Sequence, residues 1–280
     1  MMRLLLSLLT KIKKNGEQMS HQFLNQEMLE AQAPSIFATE PDKHVSSRYK
    51  FYPTTDVLDI LHECDWVPYS AQQVRTRVAN PMAAKHLIRL RQRGTSPSDY
   101  GLNDSFPEMV LMNAHNGMGS YLLRAGIFRM VCSNGMIVSE SDFGEVTLRH
   151  IGSMPEQVMK ASRVFTESTS RIAGIVNTWK DQELTPDQEK DFFVDAARIR
   201  FDNPDDSIIL DVSNRRRPED QGHDLWSVFN VAQENLIRGG FLNGQTRRRV
   251  RAITAIQKDV NLNSNIWALA SKYSREVCNN

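Results

Sequence analysis

Between Phe106 and His150 the chain reads FPEMVLMNAHNGMGSYLLRAGIFRMVCSNGMIVSESDFGEVTLRH. Two apolar runs flank Asn116-Gly117, and a second pair, Asn134-Gly135, follows the second run. Asn-Gly supplies the positive φ values of a two-residue hairpin turn, so apolar runs around it read as paired strands. A third run, Glu145 to His150, leads straight into a helical pattern. Strand, strand, strand, helix predicts an α+β fold. The expected architecture is a curved antiparallel sheet with helices on one face and a helical carboxyl-terminal part.

The sequence of 280 residues is long enough for one large domain or two small ones. We read residues 1–44 as an amino-terminal extension and irregular lead-in, and 45–280 as a single α+β domain with its β-β-β-α core at 106–181. The opening MMRLLLSLLTKIKKNG carries an apolar run, Leu4 to Leu9, too short for a signal peptide or a membrane span. It reads equally as a surface helix or as an extension upstream of a start at Met19.

The helices are signposted. Thr54 or Thr55 can cap a short helix whose apolar face is Val57, Leu58, Ile60 and Leu61. Ser153-Met-Pro-Glu156 matches a capping box. Beyond it Val158, Phe165, Ile172 and Trp179 recur on one face of a long amphipathic helix. Thr185-Pro-Asp-Gln188 opens another helix, expected to run to about Phe201. Residues 202–223 read as turns, with Arg215–Arg217 salt-bridged locally beside Glu219 and Asp220. Leu225 to Ile237 forms a helix stopped by Gly239-Gly240, and a last helix spans about Ser264 to Glu276.

No enzyme motif survives inspection. The chain has no phosphate loop, no Gly-x-Gly-x-x-Gly and no nucleophile elbow. His115 lacks a second metal ligand at close spacing, and Asp205, Asp206, Asp211 and Glu219 fall in a polar loop where acids are common. Cys64, Cys132 and Cys278 are odd in number and far apart, which argues against disulfides and zinc and for a reducing cytoplasm. A non-enzymatic protein without cofactor, metal or membrane contact is expected.

Charge is uneven. Net charge is only +1, yet there is no acid between Asp65 and Asp99, where Arg75, Arg77, Lys85, Arg89, Arg91 and Arg93 stand. In KHLIRLRQR, Lys85, Leu87, Arg89, Arg91 and Arg93 share one face of a strand. That face reads either as a solvated edge strand guarded by cations or as a strip that tracks phosphates. Arg124, Arg129 and Arg149 lie in the strands that follow. A second acid-free window, between Glu234 and Asp259, holds Arg238, Arg247, Arg248, Arg249, Arg251 and Lys258. Arg75, Arg77, Lys85, Arg89, Arg91, Arg93, Arg124, Arg129, Arg149, Arg247, Arg248, Arg249 and Arg251 are candidate nucleic-acid contacts.

The strings PEMVLMNAHNG, LRAGIFRMVCSNGMIV, VTLRHIG, WSVFNVAQENLIRGG and RRRVRAITAIQKDVNLNSNIWALA resemble the phage- and plasmid-like family known as domain of unknown function nine-three-two. The likeness runs from about Val45 to Ala270, with Asn113-Ala114-His115-Asn116-Gly117 where many members show Asn-Ser-His-Asp-Gly. It implies a protein of prophages, plasmids and integrative elements. The β-β-β-α order is also similar, by fold analogy alone, to single-strand annealing proteins. The expected function is therefore binding and annealing of single-stranded DNA by a homo-oligomer. A protein-binding factor that inhibits a host defence complex is the alternative, and a metal-dependent nuclease the third.

Overall fold

A computed structural model describes residues 23–46, 49–74, 80–117, 120–130, 134–137, 145–148, 153–244 and 246–278. Among the described residues six strands form one antiparallel sheet: β1 (Trp66–Gln73), β2 (His86–Gln92), β3 (Ser105–Asn113), β4 (Tyr121–Arg129), β5 (Asn134–Ile137) and β6 (Glu145–Leu148). The order is β1-β2-β3-β4-β5, and β6 shares the free edge of β4 with β5. β5 pairs with Gly126–Arg129 and β6 with Tyr121–Arg124. The helices are α1 (Gln26–Gln32), α2 (Thr54–Glu63), α3 (Met154–Asp181), α4 (Pro186–Arg200), α5 (Asp206–Val212), α6 (Leu225–Arg238) and α7 (Ile256–Cys278). The expected α+β class and helical carboxyl-terminal part are what the chain forms.

Alternation along the strands decides the core. Ile88 and Leu90, Met109 and Leu111, and Leu123, Ala125 and Ile127 point to one face. Val158, Phe165, Ile172 and Trp179 of α3 are buried in the same core. Each such side chain, fully buried, contributes about 1.5–3 kcal/mol. At the far end Trp179 meets Trp267 of α7 and Phe229 of α6, with ring centroids 4.5 Å and 5.5 Å away. The opposite face of the sheet is covered in part as well. Leu87, Val110 and Met112 pack with Ile256 and Val260 of α7.

Several local expectations are corrected. The chain between β3 and β4 occupies residues 114–120, longer than a two-residue turn, although Gly117 does adopt φ +72°. Asn134 and Gly135 are not a turn but the first residues of β5, opposite Arg129 and Phe128. The described part of the lead-in is not irregular. α1 and the turn Pro34–Phe37 bury Leu29, Ala33 and Ile36; the Gln32 side chain accepts from the Ala71 amide of β1, and that of Gln73 in β1 accepts from the Ser35 amide. Thr54 does not cap α2; Pro53 precedes the helix and the Thr54 hydroxyl is used elsewhere. Residues 206–212 are helical because Asp205 caps them, its carboxylate accepting from the Ile208 amide at 3.0 Å. α7 starts at Ile256, well before Ser264, because Ile256 and Val260 find an apolar seat on the sheet.

Candidate nucleic-acid interface

β2 lies between β1 and β3, so it is no edge strand, and its arginine face is closed. Arg89 and Arg91 are buried at 6% and 4% exposure. Both reach the Glu108 carboxylate on β3, at 3.1 Å and 3.3 Å. A bulge between Pro68 and Ser70 in β1 leaves Tyr69 out of register, and its hydroxyl donates to the same carboxylate. The Arg91 guanidinium sits 3.6, 4.2 and 4.4 Å from the ring centres of Tyr69, Phe106 and Phe128. Burial works against the charge of Arg89, but Glu108 overrides it and the pKa rises. Burial and then Glu108 push the Tyr69 phenol well above its ordinary value. Arg129 is closed too, bonded to Asp104 at 2.7 Å and to Asp220 at 2.5 Å. Arg89, Arg91 and Arg129 therefore hold the fold and do not reach a phosphate. Alternation along β2 does not reveal this closure, because Glu108 comes from the partner strand β3.

Arg75, Arg77 and Arg149 lie outside the described residues. Arg93 is exposed beside His62, at the opposite end of β2 from Lys85 and about 25 Å along the strand.

The other cations converge. Lys85 Nζ donates to Gln257 Oε1 at 2.6 Å, which brings the first basic window against the second. Arg124 reaches Ser264 Oγ at 3.4 Å on the same helix. Burial first, and then the positive charge of Arg124, lower the Lys85 pKa. Next to Gln257, Lys258 joins Arg200 and Arg251 around a hollow of about 570 Å³ between α4 and α7.

Beyond the hollow the chain makes a basic hairpin. The Gly240 amide donates to the Val250 carbonyl, the Val250 amide to the Phe241 carbonyl and the Asn243 amide to the Arg248 carbonyl, at 2.8–3.0 Å. Gly239 is required at its base: φ is +58°, and a Cβ there would meet the Val250 carbonyl oxygen at 2.7 Å. At the tip the Asn243 side chain accepts from the Thr246 amide at 2.7 Å. Arg247, Arg248 and Arg249 are exposed there, and Arg251 follows, also exposed. Among the described residues none of these four is in an ion pair. Asp205, the acid beside Gly244, is engaged as the α5 cap. Arg215 and Arg217 do not behave like these. They pair with Glu189 at 2.6 Å and Glu234 at 2.9 Å, distant in sequence, so the expected local salt bridges are replaced by long-range ones.

One polar cluster has no signature in the sequence. Thr54 Oγ1 lies 3.1 Å from His86 Nε2, His115 Nε2 and the Tyr121 hydroxyl, and accepts from Asn113 Nδ2 at 3.3 Å. Ser35 Oγ closes it, 2.9 Å from His86 Nδ1. All of these side chains are buried. Burial, and then His115, hold the His86 pKa down to about 3. Among the described residues no group of three or more His, Cys, Asp and Glu is arranged to hold a metal, and no helix is long and apolar enough to cross a membrane. A histidine pair on two strands and a threonine on α2 have no sequence spacing that would announce them.

Comparison with known proteins gives a family and relatives within it. The family described as domain of unknown function (DUF932) matches residues 41–267. The UPF0380 protein YfjQ of Escherichia coli (strain K12) is 32% identical over 255 residues, covering 88% of this chain and 90% of the relative. The UPF0380 protein YafZ of the same strain is 32% identical over 253 residues, with the same coverage. No solved structure matches.

Proposed function

The chain belongs to the DUF932 family, and for it we propose non-enzymatic binding of single-stranded DNA, in the service of strand annealing for a phage- or plasmid-like mobile element in the cytoplasm. The observation that carries the reading is the contact of Lys85 with Gln257, which joins the two acid-free windows. Lys85, Arg124 and Lys258 then run on through the hollow to Arg251 and the arginine hairpin. Cations scattered over a globule bind a strand poorly. The same cations on one face each displace a counterion from the backbone.

Backbone tracking leaves base edges open for pairing, which is what annealing needs. Such a reaction requires no catalytic residue of this chain. A net charge of +1 fits as well, because many acids pair with Arg89, Arg91, Arg129, Arg215 and Arg217, and of those near the face Asp205 is engaged as a helix cap and Asp259 lies within reach of buried Arg89. Several copies arrayed along a strand would extend the basic face.

The test is strand annealing followed by energy transfer between complementary labelled oligonucleotides. The wild-type chain accelerates pairing, and the variant Lys85→Glu with Lys258→Glu does not. Equal rates with and without protein would refute the annealing role. Capture of a host protein at stoichiometric yield, without DNA binding, would favour the defence-inhibitor alternative.

A further inference from the structure

The hollow between α4 and α7 is more than a stretch of basic surface. Its volume of about 570 Å³ falls within the range of small-molecule sites. Arg200, Arg251 and Lys258 supply positive charge, while Ile253 and Leu262 supply an apolar wall and Asn261 an amide. Cations beside an apolar wall suit a ligand with an anionic end and a flat, weakly polar end.

Arg200 is the fixed member. Its guanidinium donates to the backbone carbonyls of Leu236 and Arg251, both neutral acceptors. Among the described residues no carboxylate pairs with it. It is half-buried, and burial pulls its pKa below the ordinary arginine value. A cation held in place without a counter-charge is stabilised by any anion that enters beside it. The start of α7 adds to this. The Ala255 carbonyl accepts from the Asp259 amide at 3.0 Å, which puts at the cap a residue with no side-chain acceptor for the first-turn amides.

We propose that this hollow takes one nucleotide unit, its phosphate on Arg200, Arg251 and Lys258 and its base against Ile253 and Leu262. The assignment rests on the nucleic-acid reading of the same face and names the unit that the face holds. A strand would be gripped here once per subunit and steered outward by the hairpin arginines.

Calorimetric titration of the full chain with deoxyadenosine monophosphate, deoxyadenosine and inorganic phosphate tests it. The monophosphate is expected to bind at one equivalent, and each of the other two at least about tenfold more weakly, since each lacks half of the complementary groups. Arg251→Glu with Lys258→Glu, both exposed positions, is expected to weaken the monophosphate about tenfold or more with the unfolding midpoint unchanged. No binding of the monophosphate, binding equal to that of inorganic phosphate, or indifference to the charge reversal would overturn the assignment. The outcome separates the two claims. Monophosphate binding without oligonucleotide binding keeps this site and refutes the strand reading; oligonucleotide binding without a monophosphate site does the reverse.

Discussion

Replacing Glu108 by alanine tests why the arginine face of β2 is closed. The Glu108 side chain is fully buried, and Arg89 and Arg91 reach it with side chains only 7% and 5% exposed. Removing one partner of a buried ion pair costs about 3–5 kcal/mol, because a desolvated charge is left behind. For a chain of this size about 1 kcal/mol moves the melting midpoint by about 2–4 °C, so the midpoint should fall by roughly 6–20 °C. Urea unfolding of Glu108→Ala should show a lower midpoint at an unchanged slope. Replacing Arg89, Arg91 and Glu108 together by methionine should recover part of the loss, since both guanidinium groups leave with the carboxylate, while the Tyr69 hydroxyl loses its acceptor and Asp259 its nearby cation. A loss below about 1 kcal/mol for Glu108→Ala would mean that water reaches both guanidinium groups. The strip would then be open to phosphates after all.

Three further outcomes follow from the structure. The His86 pKa is about 3 in the fold against an ordinary 6.5, so its contribution is complete above pH 6.5 and is lost as pH falls toward 3, by roughly 2 kcal/mol at pH 5; unfolding measured from pH 7.5 down to pH 5 should show this slope, and His86→Gln should flatten it. Thr54→Val removes the hydroxyl shared by His86, His115, Tyr121 and Asn113, and denaturant unfolding should register a loss of about 2–3 kcal/mol; a neutral result would show that the cluster re-forms without it. Gly239→Ala forces a side chain against the Val250 carbonyl at φ +58°, so amide exchange in residues 240–250 should quicken while exchange in β2 and β3 stays as in the wild type.

Much of the fold could be read from local chemistry, and most of the face that matters could not. The strands around Asn116-Gly117, the cap at Ser153, the box at Thr185 and the stop at Gly239 are decided within a few residues, and the structure keeps them in place. β2 shows the limit. Alternation separates its two faces correctly but cannot say whether a face meets water, because that depends on Glu108 and Tyr69 from two other strands. The same lack of three-dimensional partners hid the early start of α7, whose first apolar residues are meaningful only against Leu87, Val110 and Met112. The second basic window stood out in the sequence, yet its neighbour Arg200 did not. That residue lies in a different helix and is held at the hollow by the carbonyls of Leu236 and Arg251, which are distant in sequence.

The most direct test of the strand-binding claim is fluorescence anisotropy of a labelled single-stranded oligonucleotide across a salt series. About five phosphate contacts along the Lys85, Lys258, Arg251 and hairpin face predict a slope of log K on log salt near −3.5. Reversing Lys85 and Lys258 to glutamate should flatten the slope by about 1.4, while Arg93→Glu, remote from that face, should leave it unchanged. Binding that is absent, or that ignores salt, would contradict the account.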